Sequence, residues 1–317
     1  MGLKSYKDGL KKLDIALVFI AEHYGKPKLF FWIDALIAYI SYGVTPNQYI
    51  GFRFFEKSRL ERSEFYTRRQ YKRFERELND PKYYSIFWDK EKFNAAFSDF
   101  IHRDWLFCGD ASEKQISDFL AHNKKIIVKP TSASSGKGIH ILSDTDTIND
   151  LIASKSLLEE FVLQHHSMSE LNPSSVNTVR VYTLLDRDSE PHILSATIRV
   201  GGVNSEVDNF HAGGVAYPLD INYGFVTAAG RNIRGEKCLF HPGTNMKMIG
   251  FEVPEWNSLK EFVFRAAKVF PSSRLIAWDV AVLEDGFEMI EGNYNGDPNM
   301  MQAPSDTGKR REIEFFK

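Results

Sequence analysis

Cysteine is almost missing from this chain: only Cys108 and Cys238 occur, 130 positions apart. Two cysteines so placed make neither a disulfide framework nor a CxxC metal site, which suits a reducing compartment. Net charge is nearly absent too, with 40 basic residues against 42 acidic ones. No global field is present to recruit nucleic acid or an anionic membrane. A long hydrophobic run is also lacking. The most apolar stretch, residues 29–40 (LFFWIDALIAYI), spans twelve residues and carries Asp34. That is too short for a bilayer core of about 30 Å, and a buried helix is expected there instead. The N-terminus, MGLKSYKDGLKKLD, has neither the apolar core nor the cleavage site of a signal peptide, and it does not fit a myristoylation signal. The expectation is a cytoplasmic protein without a transmembrane segment. Internal repeats and low-complexity tracts are lacking as well.

What is present is a folded composition, 43% hydrophobic and unusually aromatic, with 25 Phe and 13 Tyr among 317 residues. A chain of this length buries a sizeable core and splits into two or three lobes. Residues 1–88 read as helical, beginning with Leu10, Leu13, Leu17 and Ile20 at three- and four-residue spacing. Thr45-Pro46 reads as a helix N-cap with proline in the first turn. The segment 53–76 carries nine basic residues against four glutamates, interleaved with Phe54, Phe55, Phe65, Tyr66, Tyr71 and Phe74. Two readings stand for it. One is an amphipathic helix pair with its aromatics inward and its cations solvated or paired. The other is a basic patch that docks a polyanion or an acidic glycan.

From about residue 105 the pattern changes to helices alternating with short strands, at 126–129, 139–142, 179–185, 192–200, 275–283 and 287–291, with a helix over 258–269. Helices first and α+β afterwards argue against a doubly wound parallel sheet. The expected divisions are a helical region 1–88, a lid 89–157 and a C-terminal unit 158–317.

Two motifs carry chemistry. Lys129-Pro130 leads into Thr-Ser-Ala-Ser-Ser135-Gly136-Lys137-Gly138. Small hydroxyl and glycine residues let backbone N–H groups converge on an anion. This is not a Walker loop, because Gly138 stands where Ser or Thr should follow the lysine, and a strand rather than a helix comes next. The two readings are a glycine flap over a triphosphate, with Lys129 as a fixed charge, and a surface hairpin turn. The second motif is Trp278-Asp279 through Glu291-Gly292-Asn293, two strands joined by Glu284-Asp285-Gly286. A three-residue turn sets Leu283 opposite Phe287, Ala281 opposite Met289 and Asp279 opposite Glu291, so both carboxylates share a face. Side-by-side carboxylates repel unless a cation or proton intervenes, and oxygen donors of this kind suit Mg²⁺. Asp279, Glu291 and Asn293 are therefore the candidate metal ligands. His165-His166 is not read as a metal pair, because neighbours in a strand point apart, and a loop or hinge role is expected.

A phosphate flap followed by an Asp…Glu-x-Asn hairpin resembles the ATP-grasp fold, and in particular its sugar-transfer-associated group. The matching segments are Trp88-Asp89-Lys90, 127–130, 158–161, 175–180, 208–214 and 291–293. The resemblance implies an α+β ATP-grasp fold, two lobes gripping ATP, behind the helical N-terminal region. It implies that Lys90 and Lys129 hold phosphates and that Glu159, Glu160, Phe161 and Val162 form the strand reading adenine. It further implies that Arg180, Arg199 and Asn209 lie near the γ-phosphate and the acceptor. In related glutamate ligases the stretch Asn-Leu-His-Arg-Gly-Gly corresponds to Asn209-Phe-His211-Ala212-Gly-Gly here, so an arginine is lost. His211 reads equally as a satisfied loop residue. The implied activity is an ATP- and Mg²⁺-dependent, ADP-forming carboxylate–amine ligase working through an acyl phosphate. Its substrates would be a small-molecule or glycan carboxylate and an amine, in surface-polysaccharide or capsule synthesis. The alternatives are a non-catalytic nucleotide-binding protein of a glycan-assembly complex, which the lost arginine motivates, and an ATP-dependent phosphotransferase.

Overall fold

The computed structural model describes residues 3–130, 138–202, 213–232, 235–294 and 296–317. Helix α1 (Leu3–Tyr24) lays Leu13 and Leu17 against α2 (Lys28–Tyr42) and α3 (Pro46–Gly51). Thr45 caps α3 as expected: its hydroxyl accepts from the Gln48 amide, and the Gln48 side chain answers the Thr45 N–H. α4 (Arg59–Glu64) starts with the same reciprocal cap from Ser58 and Glu61. α5 (Arg68–Leu78), α6 (Tyr84–Trp88) and α7 (Lys90–Ala96) complete the helical region.

The segment 53–76 follows the amphipathic reading. Phe54, Phe65, Tyr66, Tyr71 and Phe74 are buried. Arg62 grips Asp34 with two bonds of 2.8 Å, and Arg53 pairs with Glu56. The expectation for residues 29–40 does not hold. Only Phe31, Ala35 and Ala38 of α2 are buried; Trp32 and Tyr42 are half-buried against the same core, and Leu29, Phe30, Ile33, Leu36, Ile37 and Ile40 face outward. Composition announced the helix but not how many of its sides the fold would cover. Among the described residues no helix is long and apolar enough to cross a membrane.

Two antiparallel sheets follow. The smaller has the order β1-β4-β2-β3, formed by β1 (Trp105–Phe107), β2 (Ile126–Pro130), β3 (His140–Ile141) and β4 (Ser156–Glu160). α8 (Glu113–His122) and α9 (Ile148–Ala153) pack on it through Ile116 and Leu151. β4 crosses the expected boundary at 157/158 and belongs wholly to this sheet.

α10 (His166–Leu171) leads into the larger sheet of β5 (Thr178–Leu185), β6 (Pro191–Val200), β7 (Val215–Pro218), β8 (Gly230–Arg231), β9 (Lys237–Cys238), β10 (Leu275–Leu283) and β11 (Gly286–Asn293), ordered β11-β10-β5-β6-β7-β8-β9. Helix α11 (Trp256–Ala267) covers one face, where Val179, Val181, Ile198, Trp278 and Val280 point. α5, α12 (Pro298–Gln302) and α13 (Arg310–Phe316) cover the other, over Tyr182, Leu184 and Ala277. With both faces covered, every residue of β5 is buried. The two-residue period of a strand then assigns Arg180 and Asp279 to the face of Tyr182 and Ala277, just beyond its apolar cluster.

Candidate active site

The hairpin of β10 and β11 has a tighter turn than the sequence suggested. Leu283 pairs directly with Gly286, so Glu284 and Asp285 alone form the loop, and Val282 faces Phe287. Gly286 adopts φ +129°, which lets it serve as a strand residue where a side chain would be strained. Counted on from that turn, Asp279 would face Ile290. A bulge between Val280 and Asp279 takes up one residue of β11 and restores Asp279 opposite Glu291. The turn and the bulge thus cancel at the two carboxylates.

Across four strands Glu291, Asp279, Arg180 and Thr197 stand in register. Arg180 grips Asp279 bidentately, Nε to Oδ1 at 2.6 Å and Nη2 to Oδ2 at 2.5 Å. Arg199, from β6, adds Nη1 to Oδ2 at 2.6 Å. Burial alone would raise the Asp279 carboxyl, but the two guanidiniums hold it well below the usual carboxylate range. Glu291 behaves oppositely: although its side chain is half-exposed, the desolvation imposed by surrounding atoms and the adjacent Asp279 push it up, against Arg180 at 3.5 Å. Asn293 Nδ2 donates to Glu291 Oε1 at 3.1 Å.

A second charged cluster joins the two sheets. Glu159 of β4 is 3% exposed, and its carboxylate accepts from Arg103 at 2.9 Å, from Asn94 at 3.0 Å and from Lys129. Arg103 also reaches Glu288 of β11 at 2.6 Å and the Met289 carbonyl at 2.7 Å. Glu159 is held low by Arg103 and Lys129 despite its burial. Between the clusters sits Lys90, the first residue of α7. Burial and the neighbouring Lys129 lower its pKa, while Glu291 and Glu159 oppose that shift. Lys90, Lys129, Glu291 and Asp279 therefore belong to one electrostatic neighbourhood.

The rest of the expected set is dispersed. Glu160 is exposed and accepts from the Asp104 amide. The N–H groups of Glu160 and Phe161 donate to the carbonyls of Asp104 and Lys125, the Lys125 ammonium caps the Phe161 ring, and Val162 is buried. Gly138 is described, at φ +74°. Ser135, Gly136 and Lys137 of the flap, and Asn209, His211 and Ala212, lie outside the described residues. His165 and His166 do not point apart. Their rings lie 4.2 Å from one another and both meet Glu284, because the pair starts a helix rather than extending a strand. His165 Nδ1 accepts from the Ser167 amide, so its Nε2 carries the proton and turns it toward Glu284. That arrangement is a hydrogen-bonded clasp.

Sequence reasoning missed Arg103, Asn94 and Glu288. Glu288 did leave a trace, since a carboxylate beside Met289 in a largely apolar strand demands a partner wherever it is buried. Nothing local marks Arg103 as that partner, 185 positions away.

Residues 152–317 match the profile of sugar-transfer associated ATP-grasp proteins. The chain belongs to that family. Its α+β architecture, with mixed helices and antiparallel sheets behind a helical N-terminal region, is the ATP-grasp fold. Among solved structures, this ATP-grasp chain is similar to the ATP-grasp ligase PsnB complexed with a phosphomimetic variant of its minimal precursor, Mg and ADP. The identity is 15% and the TM-score 0.46, over 75% of this chain and 60% of that one. D-alanyl-alanine synthetase A from Vibrio cholerae O1 biovar eltor gives 14% and 0.44, over 75% and 65%. The ADP complex of the N5-carboxyaminoimidazole ribonucleotide synthetase PurK gives 13% and 0.42, over 66% and 45%. The chain thus spans less than two thirds of each of these proteins. No curated protein matches it in sequence.

The donors fit a hard divalent cation. A carboxylate offers about four acceptor positions, and arginine N–H groups take three on Asp279. The repulsion that raises Glu291 is what a cation between the two carboxylates would relieve. Asn293 adds an amide at the strand end. A set of few protein oxygens is typical of Mg²⁺, which completes its shell with water and phosphate.

Proposed function

We propose that this protein is an Mg²⁺- and ATP-dependent, ADP-forming carboxylate–amine ligase. The observation that carries the reading is the row Glu291–Asp279–Arg180, flanked by Arg199, with Lys90 electrostatically coupled to both Glu291 and Lys129. It sets acidic oxygens for a cation in the same neighbourhood as lysines that could meet phosphate. A carboxylate of the substrate attacks the γ-phosphorus of ATP, the bond to the bridging oxygen breaks and ADP leaves, and an amine then displaces phosphate to form the amide. Asp279, Glu291 and Asn293 would hold Mg²⁺, which would supply charge neutralisation at the phosphate oxygens.

Arg180 and Arg199 keep Asp279 ionised and fixed, and bring two cations to where charge develops. Lys129, oriented by the buried Glu159, and Lys90 hold the nucleotide phosphates. Glu159 thereby acts by positioning Lys129 rather than by touching adenine. Since the amides of Glu160 and Phe161 are engaged in backbone bonds, the adenine edge meets the backbone from Val162 onward. Shielding the activated carboxylate from water is the role the sequence assigns to the glycine-rich stretch 131–138, of which only Gly138 is among the described residues. Family membership supports a glycan setting: amidation of a sugar acid, or attachment of an amino acid or amine in surface-polysaccharide synthesis, in the cytoplasm and in association with a glycan-assembly complex.

Purified protein given ATP, Mg²⁺ and a matched uronic acid and amine should release ADP, with the amide identified by mass spectrometry. Lys129→Ala and Glu291→Gln should each lose at least about a hundredfold in kcat, the scale of removing one electrostatic contact to the reacting group. Full turnover in both variants would overturn the assignment. A phosphoester product would make the protein a phosphotransferase.

A further inference from the structure

The face that α2 leaves exposed is not a scatter of apolar side chains. Leu29, Ile33, Leu36 and Ile40 follow one another at spacings of four, three and four, a heptad with leucine at d and isoleucine at a. Phe30 and Ile37 fall at e. These six are between 48% and 67% exposed. Apolar residues at a, d and e are the core-facing pattern of a helix inside a bundle. The helix cannot roll to cover them, because its other side is anchored: Phe31, Ala35 and Ala38 are buried, and Asp34 is clamped by Arg62 and accepts from Tyr49 at 2.7 Å. The adjoining α1 leaves Ile15, Val18 and Phe19 exposed as well.

We propose that the α1–α2 hairpin is the interface of a homodimer, in which two copies pack their hairpins into a four-helix bundle around this stripe. Nine such side chains leave on the order of 1,000 Å² of apolar surface in water, above the ~800 Å² per partner of a standard interface. Self-association suits the α2 stripe, whose exposed positions from Leu29 to Ile40 carry no charged side chain, because an isologous contact sets like against like. An anionic bilayer is the poorer match. Surface-seeking helices carry a Lys/Arg-rich polar side, whereas residues 7–42 hold five lysines against four carboxylates. Lys28 of that set is already paired with Asp14 at 2.7 Å.

Sedimentation velocity on the full chain tests this. Wild-type protein should sediment as a dimer through the micromolar range, and the double variant Ile33→Asp/Ile37→Asp as a monomer with an undiminished thermal transition. A monomeric wild type overturns the proposal, whether or not phosphatidylglycerol vesicles capture it, and so does a double variant that stays dimeric. Should the double variant fail to fold, Leu36→Cys on a Cys238→Ser background decides. A bis-maleimide should link two such chains in high yield, and failure to link them overturns the interface.

Discussion

Asp279 and Glu291 are chemically alike and directly opposite one another, yet the site treats them differently. Asp279 is 2% exposed inside two guanidiniums, whereas the Glu291 side chain is half-exposed. Replacing Asp279 with Asn removes the carboxylate that the buried guanidiniums of Arg180 and Arg199 share. Breaking a buried pair in this way costs about 3–5 kcal/mol, so urea unfolding should show a large loss of stability together with lost activity. Glu291→Gln should separate the two effects. Its folded pKa is raised, so its contribution to stability is complete below the ordinary glutamate range near 4.3 and is lost as pH rises through the folded value. At neutral pH the variant should therefore match or exceed the wild-type unfolding midpoint, and the difference should vanish in acid. Mg²⁺ should raise the midpoint of the wild type and leave that of Glu291→Gln unchanged. A loss of stability in Glu291→Gln would show that the carboxylate is structural.

At the scale of the element, the β10–β11 hairpin shows how far sequence reading reaches. Its strands and its Asp and Glu were legible from alternation and the turn residues. The pairing of those two was reached from a turn one residue too long, and a bulge that no local pattern announces made up the difference. Gly292, between Glu291 and Asn293, is fixed by packing instead. A Cβ there would lie 2.7 Å from Phe93, 2.9 Å from Trp278 and 3.1 Å from Phe87. Gly292→Ala should thus cost about 1–3 kcal/mol of overpacking. It should also reduce turnover if relief shifts the strand that carries Glu291 and Asn293, the proposed metal ligands. A crystal structure of the variant with Glu291 undisplaced would refute the second expectation. The histidine pair was misread for a related reason: its geometry follows from a helix start that the local residues did not announce.

Over the whole molecule, the buried chain Lys129–Glu159–Arg103–Glu288 fastens the small sheet to the large one. Arg103→Met should leave Glu159 and Glu288 without their shared cation, at a cost of about 3–5 kcal/mol. The two sheets should then melt in separate calorimetric transitions. Glu159 and Asp279 both have depressed folded pKa values. Their stabilisation is present above the ordinary carboxyl range and lost as pH falls through the folded values. The unfolding midpoint should accordingly stay level from neutrality to about pH 5 and fall steeply below it, and Glu159→Gln should flatten that fall. An unchanged acid slope in the variant would dismiss the latch as a source of pH dependence.

The sequence by itself determined what is local or repetitive: the helix cap at Thr45, the inward aromatics of 53–76, the longer strands, and the two carboxylates on one face. Periodicity and short-range hydrogen bonding decide those, and both are written in consecutive residues. Only the tertiary structure decided that Arg180 and Arg199 close on Asp279, that Glu159 serves Lys129 and Arg103, and that α2 keeps an apolar side in water. Each of these depends on which surfaces of distant segments meet, and a buried charge or an exposed stripe acquires its meaning only from what the fold places, or leaves out, beside it.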